Sequence, residues 1–278
     1  MKSLSFDAYT LKWIAVIAMI MNHIAIAMPS LLPFGALLVF YGVGGLTYTI
    51  MAFFVVEGYR HTSNLKKYIS RLLIFGLIAQ AFHPMVLGST AVIPGIFLNI
   101  LFTISLSLAV LFMYDKIKKR FLFWFLFIVA CIVALFMDLM FVGVLVPLWY
   151  YTIKEENRRR TLPGIISGII WGVIGALMAF NLTVALAKIN NPYVDEQVRA
   201  NVQLALDNIG FPLEVVFAMP TFALGCFLGA ILIRNYNGDR GKRAKWLFYI
   251  AYPLHLAVLA AIGLALGLTE FSLFGFIG

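Results

Sequence analysis

The chain has 278 residues, of which 63% are hydrophobic and 12% charged, with a formal net charge of +9. A chain this apolar cannot bury its hydrophobic surface in one soluble core, so the composition predicts an all-α polytopic integral membrane protein. The basic residues stand in short blocks between apolar runs, which is typical of cytoplasmic loops rather than of a nucleic-acid-binding surface. We therefore expect no nucleic-acid partner, and one transmembrane domain over residues 1–278.

Nine apolar segments have helical length. In chain order they cover about residues 9–28, 36–57, 68–88, 96–114, 121–137, 139–153, 163–187, 213–233 and 246–267. The fifth and sixth are barely long enough to cross ~30 Å of hydrocarbon, so we expect a tight or partly re-entrant hairpin near Asp138. A short link from Gly88 to Gly95 joins the third and fourth segments. A polar loop from Lys188 to Pro212 joins the seventh and eighth.

Four basic blocks fall on one side of the membrane when nine spans are threaded. The blocks are Arg60, His61, Lys66, Lys67 and Arg71; Lys116, Lys118, Lys119 and Arg120; Lys154, Arg158, Arg159 and Arg160; and Arg234, Arg240, Lys242, Arg243 and Lys245. The positive-inside rule then predicts about nine transmembrane helices with a cytoplasmic N-terminus, in the plasma (inner) membrane. Ala25-x-Ala27 resembles a signal cleavage site, but the following spans continue the membrane pattern and favour a retained first helix.

The two cysteines, Cys131 and Cys226, lie in apolar runs on different predicted helices. We interpret them as small buried hydrophobic residues, although pairing stays open. The four histidines and two cysteines lack the spacing of metal ligands, so no metal is expected.

The first span contains two ionisable residues, Lys12 and His23. Eleven residues make almost three helical turns, so both lie on one face, roughly 16 Å apart along the axis. An ionisable side chain inside a membrane is costly and indicates a functional site. His23 stands deep in the span, whereas Lys12 stands near its cytoplasmic end.

The last span carries His255 at a depth similar to that of His23. Pro253 removes a helical hydrogen bond just before it, and Tyr252 lies one turn away on the same face. Two histidines at matching depth on the first and last helices could face one cavity. The alternative is that each histidine only bonds a neighbouring helix.

The turn between the second and third spans is rich in cations. They are Arg60, Lys66, Lys67 and Arg71. Thr62, Ser63 or Asn64 would cap the following helix, and a capped helix start among cations suits phosphate binding. The alternative is positive-inside anchoring with contacts to anionic lipid. Glu57 would pair with one of the cations, and Asp7 would pair with Lys12 or cap the first helix.

A third polar group is predicted near the outer face. Gln80, His83, Asp138 and Glu214 all fall near that interface. They could line an entrance for an acceptor, although polar residues at an interface need no special explanation.

Three runs of the sequence resemble the TraX family, named for the conjugative-plasmid protein that acetylates the pilin N-terminus. They are DAYTLKWIAVIAMIMNHI, EGYRHTSNLKKYISRL and KWLFYIAYPLHL. The basic residue and histidine of the first span also resemble the pattern of transmembrane acyltransferases that acetylate surface glycans. The resemblance implies acetyl-CoA on the cytoplasmic side and a pilin-like protein or cell-surface glycan as acceptor. It also places the essential histidine at His23 and its cationic partner at Lys12.

Together these patterns predict a membrane-embedded acetyl/acyltransferase. Acetyl-CoA would be the acyl donor, with its phosphates on Arg60, Lys66, Lys67 and Arg71, its pantetheine arm passing Lys12 and its thioester near His23. His23 would act as general base or carry the acyl group, while His255 and Tyr252 would orient the acceptor or stabilise the oxyanion.

Two other classes of function stay open. A transporter or permease would also place histidines at mid-depth, with Gly42, Gly44, Gly45 and Pro147 as helix breaks. A non-catalytic assembly factor would not need His23 at all.

Overall fold

The computed structural model describes residues 5–87, 97–207, 213–243 and 245–268. Within these ranges the chain forms twelve α-helices and two short 3₁₀ turns. The helices are α1 (Ala8–Ala27), α2 (Phe34–His61), α3 (Leu65–Gln80), α4 (His83–Leu87), α5 (Ile100–Lys116), α6 (Arg120–Ala134), α7 (Val142–Thr152), α8 (Glu156–Asn190), α9 (Glu196–Asp207), α10 (Leu213–Ala218), α11 (Phe222–Arg234) and α12 (Lys245–Ala265). The 3₁₀ turns are Pro29–Leu31 and Met219–Thr221.

The helices confirm an all-helical membrane protein. In the described part of the chain, five stretches are long and apolar enough to cross a membrane: Ala8–Ala27, Phe34–His61, Glu156–Asn190, Leu213–Arg234 and Phe248–Ala265. Each of the nine predicted apolar segments contains helix. With 15 and 11 residues, α6 and α7 reach only about 22 and 16 Å. Their shortness agrees with the predicted hairpin.

Three predicted boundaries differ from the structure. The third segment is broken after Gln80 into α3 and α4, and the eighth is interrupted by a 3₁₀ turn that contains Pro220, which lacks a backbone N–H to continue an α-helix. The polar loop predicted between the seventh and eighth segments contains the amphipathic helix α9. The predicted Gly88 to Gly95 link lies outside the described residues, as does the end of that polar loop.

The hairpin between α6 and α7 has a tightly held backbone around Asp138. Leu139 and Met140 adopt φ angles of 64° and 47°, a conformation that side chains rarely accept without support. The support comes from Leu98, whose N–H donates to the Phe136 carbonyl and whose carbonyl accepts from Asp138 N–H, both at 2.9 Å. Asp138 is therefore fixed in position by the segment that precedes α5.

The central helix α2 packs most extensively against α1 and α11. Gly44 and Gly45 make this approach possible, because a Cβ at Gly44 would collide with Asn22 and one at Gly45 would lie 2.8 Å from the Cys226 backbone nitrogen. Helix α2 runs unbroken through both glycines and through Gly42. These glycines therefore serve close packing and are not the helix breaks that a transporter would need there.

The first and last long helices are neighbours in space. Helix α1 contacts α2, α4 and α12, and α12 also packs on α3 and α4. The two larger of four hydrophobic clusters among the described residues form most of the core: one contains Ala15 and Phe53, and the other contains Leu72 and Leu101. All four of these side chains also line one large cavity. That cavity contains the candidate site.

Candidate active site

His23 and His255 are joined directly. The Nδ1 atom of His23 lies 2.6 Å from Nε2 of His255, and both residues are buried. The ring planes are parallel to within 2°, with centroids 4.8 Å apart. Each nitrogen lies in its own ring plane, so the separation of the two parallel planes is at most the 2.6 Å between these nitrogens. Stacked aromatic faces stay about 3.5 Å apart, so the two rings are not stacked. The rings lie edge to edge in nearly one plane, as an N–H···N hydrogen bond requires.

The hydrogen bonds determine which nitrogen carries each proton. His255 Nδ1 lies 2.8 Å from the Ala251 carbonyl, which can only accept, so this nitrogen is the donor. In neutral His255 the Nε2 atom is then the acceptor, and His23 Nδ1 must donate to it. The Nε2 atom of His23 is therefore unprotonated and can accept a proton.

One cavity connects the two ends of the predicted Lys12–His23 face. Its volume is about 1050 Å³, and its lining includes Lys12, His23, Arg71, Asp138 and Tyr252. The cavity therefore runs along the face of α1 that the sequence predicts to be functional.

Lys12 stands among aromatic rings in this cavity. Its Nζ atom lies 4.8 Å from the centre of the Phe54 ring and 5.8 Å from that of Phe248. Among the described residues no carboxylate comes within ion-pair distance of Lys12, and Arg240 is near enough for the two positive charges to repel. Asp7 caps α1 instead of pairing with Lys12, because its Oδ1 accepts from the Thr10 backbone N–H at 2.7 Å. This hydrogen bond lowers the pKa of the Asp7 carboxyl.

Tyr252 presents a buried hydroxyl without a partner. The residue is 4% exposed and lines the cavity, and its hydroxyl has no hydrogen bond of normal geometry, although the Ile100 backbone N–H lies near enough to act on it. Its ring centre lies 5.4 Å from that of His255 and 6.3 Å from that of His23. Buried hydroxyls are normally bonded, so this one is unusual in having no acceptor for its proton among the described residues.

The cations of the basic turn do not all reach the cavity. Arg71 lines it, with a buried Nε that has no partner. Lys66 and Lys67 are exposed and lie outside the lining, and Arg60 turns away to donate to the Tyr151 carbonyl at 3.2 Å. Asn64 caps α3 by accepting from the Lys67 N–H at 2.9 Å, which confirms a predicted cap.

Cations from other parts of the chain line the cavity where the basic turn does not reach it. Arg240 and Lys242 line it and come from the segment between α11 and α12. Arg159 and Arg160 of α8 also line it, but both are paired with Glu156 at 2.6 Å. Sequence reasoning placed all four only among general basic blocks, since nothing in a basic loop shows which helix it folds over.

Only some of the polar residues predicted near the outer face line the cavity. Asp138 lines the cavity, and its Oδ2 accepts from His83 Nε2 at 3.0 Å. Gln80 instead fixes the chain before α5: its Nε2 donates to the Phe97 carbonyl at 2.8 Å and its Oε1 accepts from Asn99. Glu214 lies in the first turn of α10 and is not part of the cavity lining.

Comparison with known proteins finds similarity over nearly the whole chain. The family described as TraX protein matches residues 7–263. A curated relative, the probable fimbrial assembly protein FimC of serogroup H1 from Dichelobacter nodosus, is 28% identical over 275 residues, covering 94% of this chain and 97% of the relative. No solved structure matches the chain. Since the family match includes both histidines and nearly all of the helical core, the chain belongs to the TraX family.

Proposed function

We propose that this protein is a membrane-embedded acetyl/acyltransferase that uses cytoplasmic acetyl-CoA as acyl donor. The observation that carries the proposal is the His23–His255 pair, which leaves His23 Nε2 unprotonated in a cavity whose lining also contains the unneutralised Lys12. A base deep in a membrane protein, joined by one cavity to a cation about three helical turns away, suits an anionic donor with a long flexible arm.

The proposed topology has nine spans in one domain over residues 1–278, with the N-terminus in the cytoplasm of an inner or plasma membrane. It is supported by the helix in each apolar segment and by the four basic blocks, which fall on one side in this threading. In this orientation Lys12, Arg71, Arg240 and Lys242 stand at the cytoplasmic mouth of the cavity. His23 then lies deeper in the membrane.

The chain's own residues fit a single displacement at the acyl carbon. His23 Nε2 removes the proton from the acceptor amine or hydroxyl, while His255 holds the His23 ring through Nδ1. The bond from the acceptor to the acyl carbon forms, the carbon–sulfur bond breaks, and the proton on His23 passes to the departing thiolate. The unpartnered hydroxyl of Tyr252 donates to the acyl oxygen as negative charge develops on it.

The acceptor that we propose is a pilin-like protein or a cell-surface glycan. The name of the Dichelobacter nodosus relative, a probable fimbrial assembly protein, supports the pilin-like class. Asp138, on the hairpin that the nine-span topology assigns to the outer side, lines the same cavity and is suited to meet the acceptor there. A permease is favoured less, because α2 is not broken at its glycines.

The experiment measures acetyl release and transfer from radiolabelled acetyl-CoA by the purified protein in detergent, with membrane extract as acceptor source. Wild type should release CoA and transfer label, and His23→Ala should lose at least about 100-fold of this activity. Tyr193→Ala is the control, because that side chain is 94% exposed and lies outside the cavity lining. If wild type neither binds nor consumes acetyl-CoA, or if His23→Ala is as active as wild type, the proposal is wrong.

A further inference from the structure

The loop between α11 and α12 is clamped onto the start of α1. In this loop, residues 235–243, the carbonyls of Asn235 and Asp239 accept from the backbone N–H groups of Phe6 and Ala8 at 3.0 and 2.8 Å. Chain segments more than 220 residues apart in sequence are thereby held side by side. The loop's side chains are fixed relative to Lys12, which stands one helical turn further along α1.

A glycine allows this close approach. Gly241 has φ +65°, and a Cβ there would collide with the Asp7 carboxylate and lie 2.8 Å from Cβ of Tyr9. Because the chain passes so closely over the first turn of α1, the residues on either side of Gly241 are brought to the cavity. Those residues are Arg240 and Lys242, and both line it.

Four cations line the cavity without a direct ion-pair partner among the described residues. Lys12, Arg71, Arg240 and Lys242 all line the cavity, and within the described ranges none of them forms an ion pair. Lys12 and Arg240 repel each other. Four cations around one opening attract an anion, and several phosphate oxygens satisfy such a group better than one carboxylate does.

Aromatic rings stand beside these cations. Tyr9 and Phe248 line the cavity with ring centres 6.2 Å apart, and Lys242 Nζ lies 6.0 Å from the centre of the Tyr9 ring. Cations next to half-buried aromatic rings of one cavity suit a molecule that carries both phosphates and a flat base.

We infer that the α11–α12 loop, through Arg240 and Lys242, binds the phosphates at the nucleotide end of the acyl donor. This inference rests on the proposed function, and it assigns the phosphates to this loop together with Lys12 and Arg71 instead of to Lys66 and Lys67 of the basic turn. An anionic lipid headgroup has the same phosphate chemistry, so the test separates the two sources.

The test compares acetyl-CoA with S-acetylpantetheine, a truncated donor that has the same thioester but lacks the nucleotide. The protein is kept in lipid-free detergent, and kcat/KM is measured for each donor. In the double variant R240Q/K242Q, the preference for acetyl-CoA over S-acetylpantetheine should fall at least about tenfold, because charge-assisted contacts to phosphate are lost. The variant R234Q/R243Q removes the same charge from exposed arginines outside the cavity lining and should keep the preference.

Three results would overturn the inference. The first is an unchanged preference in R240Q/K242Q. The second is a loss of preference in K66Q/K67Q alone. The third is an R240Q/K242Q defect limited to binding of phosphatidylglycerol vesicles, which would assign the loop to lipid. A wild type without activity on either donor would instead refute the proposed function, so the two failures are distinguishable.

Discussion

His255 determines which nitrogen of His23 is free for chemistry. Its Nε2 accepts from His23 Nδ1, so removing this acceptor allows the His23 proton to move to Nε2. His255→Leu should therefore lower kcat about 100-fold while the KM for acetyl-CoA stays within about twofold, because donor binding is left intact.

His255→Gln is the informative partner of that variant. A glutamine oxygen can accept the proton of His23 Nδ1, so this variant should retain clearly more activity than His255→Leu. If His255 only filled space, leucine would serve at least as well as glutamine in an apolar interior. Equal activities of the two variants would thus contradict a positioning role.

Tyr252→Phe separates function from stability at a single atom. The hydroxyl makes no hydrogen bond of normal geometry, so its removal loses at most a weak contact with the Ile100 backbone and relieves a buried polar group. We expect an unchanged or slightly raised midpoint of thermal unfolding, together with a fall in kcat of at least about tenfold. A lowered midpoint with normal kcat would show that the hydroxyl is structural.

For single residues, the sequence predicts the helix face and depth better than it predicts the hydrogen-bond partners. The helical spacing predicted that Lys12 and His23 share one face of the first helix. The similar depths of His23 and His255 predicted that the two histidines could meet. The proton arrangement was not predictable, because it depends on the Ala251 carbonyl lying within reach of His255 Nδ1. Arg240 was missed as well, since its place depends on a loop that folds back over α1.

Among the helices, the contact between α2 and α11 is the most sensitive to added volume. A Cβ at Gly45 would meet the Phe222 carbonyl and the Cys226 nitrogen, and backbone atoms cannot move aside as a flexible side chain does. Gly45→Ala should therefore destabilise the protein by about 1–3 kcal/mol. The measurement is the free energy of unfolding in mixed detergent micelles.

Gly35→Ala is the matched control in the same helix. No atom lies within 4 Å of its added Cβ, so alanine should be neutral or slightly stabilising there. Equal destabilisation by the two substitutions would refute close packing as the role of Gly45.

Apolar runs locate most of the helices, because length and hydropathy suffice for a helix in lipid. They do not reveal α9, because this helix is amphipathic and its many polar residues exclude it from the apolar runs. They also leave the role of the α2 glycines open, because a glycine that breaks a helix and one that packs against a neighbour look the same in a single sequence.

On the scale of the whole molecule, the cavity is assembled from distant parts of the chain. Its wall takes His23 from α1, Arg71 from α3, Asp138 from the hairpin and Tyr252 from α12. Composition and charge predict the membrane class and an orientation, but not which helices touch, because helix contacts in lipid depend on the detailed fit of small residues.

The orientation itself is open to a direct test with single cysteines, introduced after Cys131 and Cys226 are changed to alanine or serine. With nine spans and a cytoplasmic N-terminus, the exposed Tyr193 between α8 and α9 lies outside, and the exposed Lys67 and Arg158 lie inside. Tyr193→Cys should react with a membrane-impermeant maleimide on intact cells, whereas Lys67→Cys and Arg158→Cys should react only after lysis.

Each deviation from that pattern has a distinct meaning. Labelling of Lys67→Cys but not Tyr193→Cys on intact cells would reverse the protein and place the cationic mouth away from the cytoplasmic acyl donor, which would contradict the proposed function. If Lys67→Cys and Arg158→Cys were on opposite sides, the number of crossings between them would be odd. In that case one of the short helices α6 or α7 does not cross, because these are the helices that fall furthest below the thickness of the hydrocarbon.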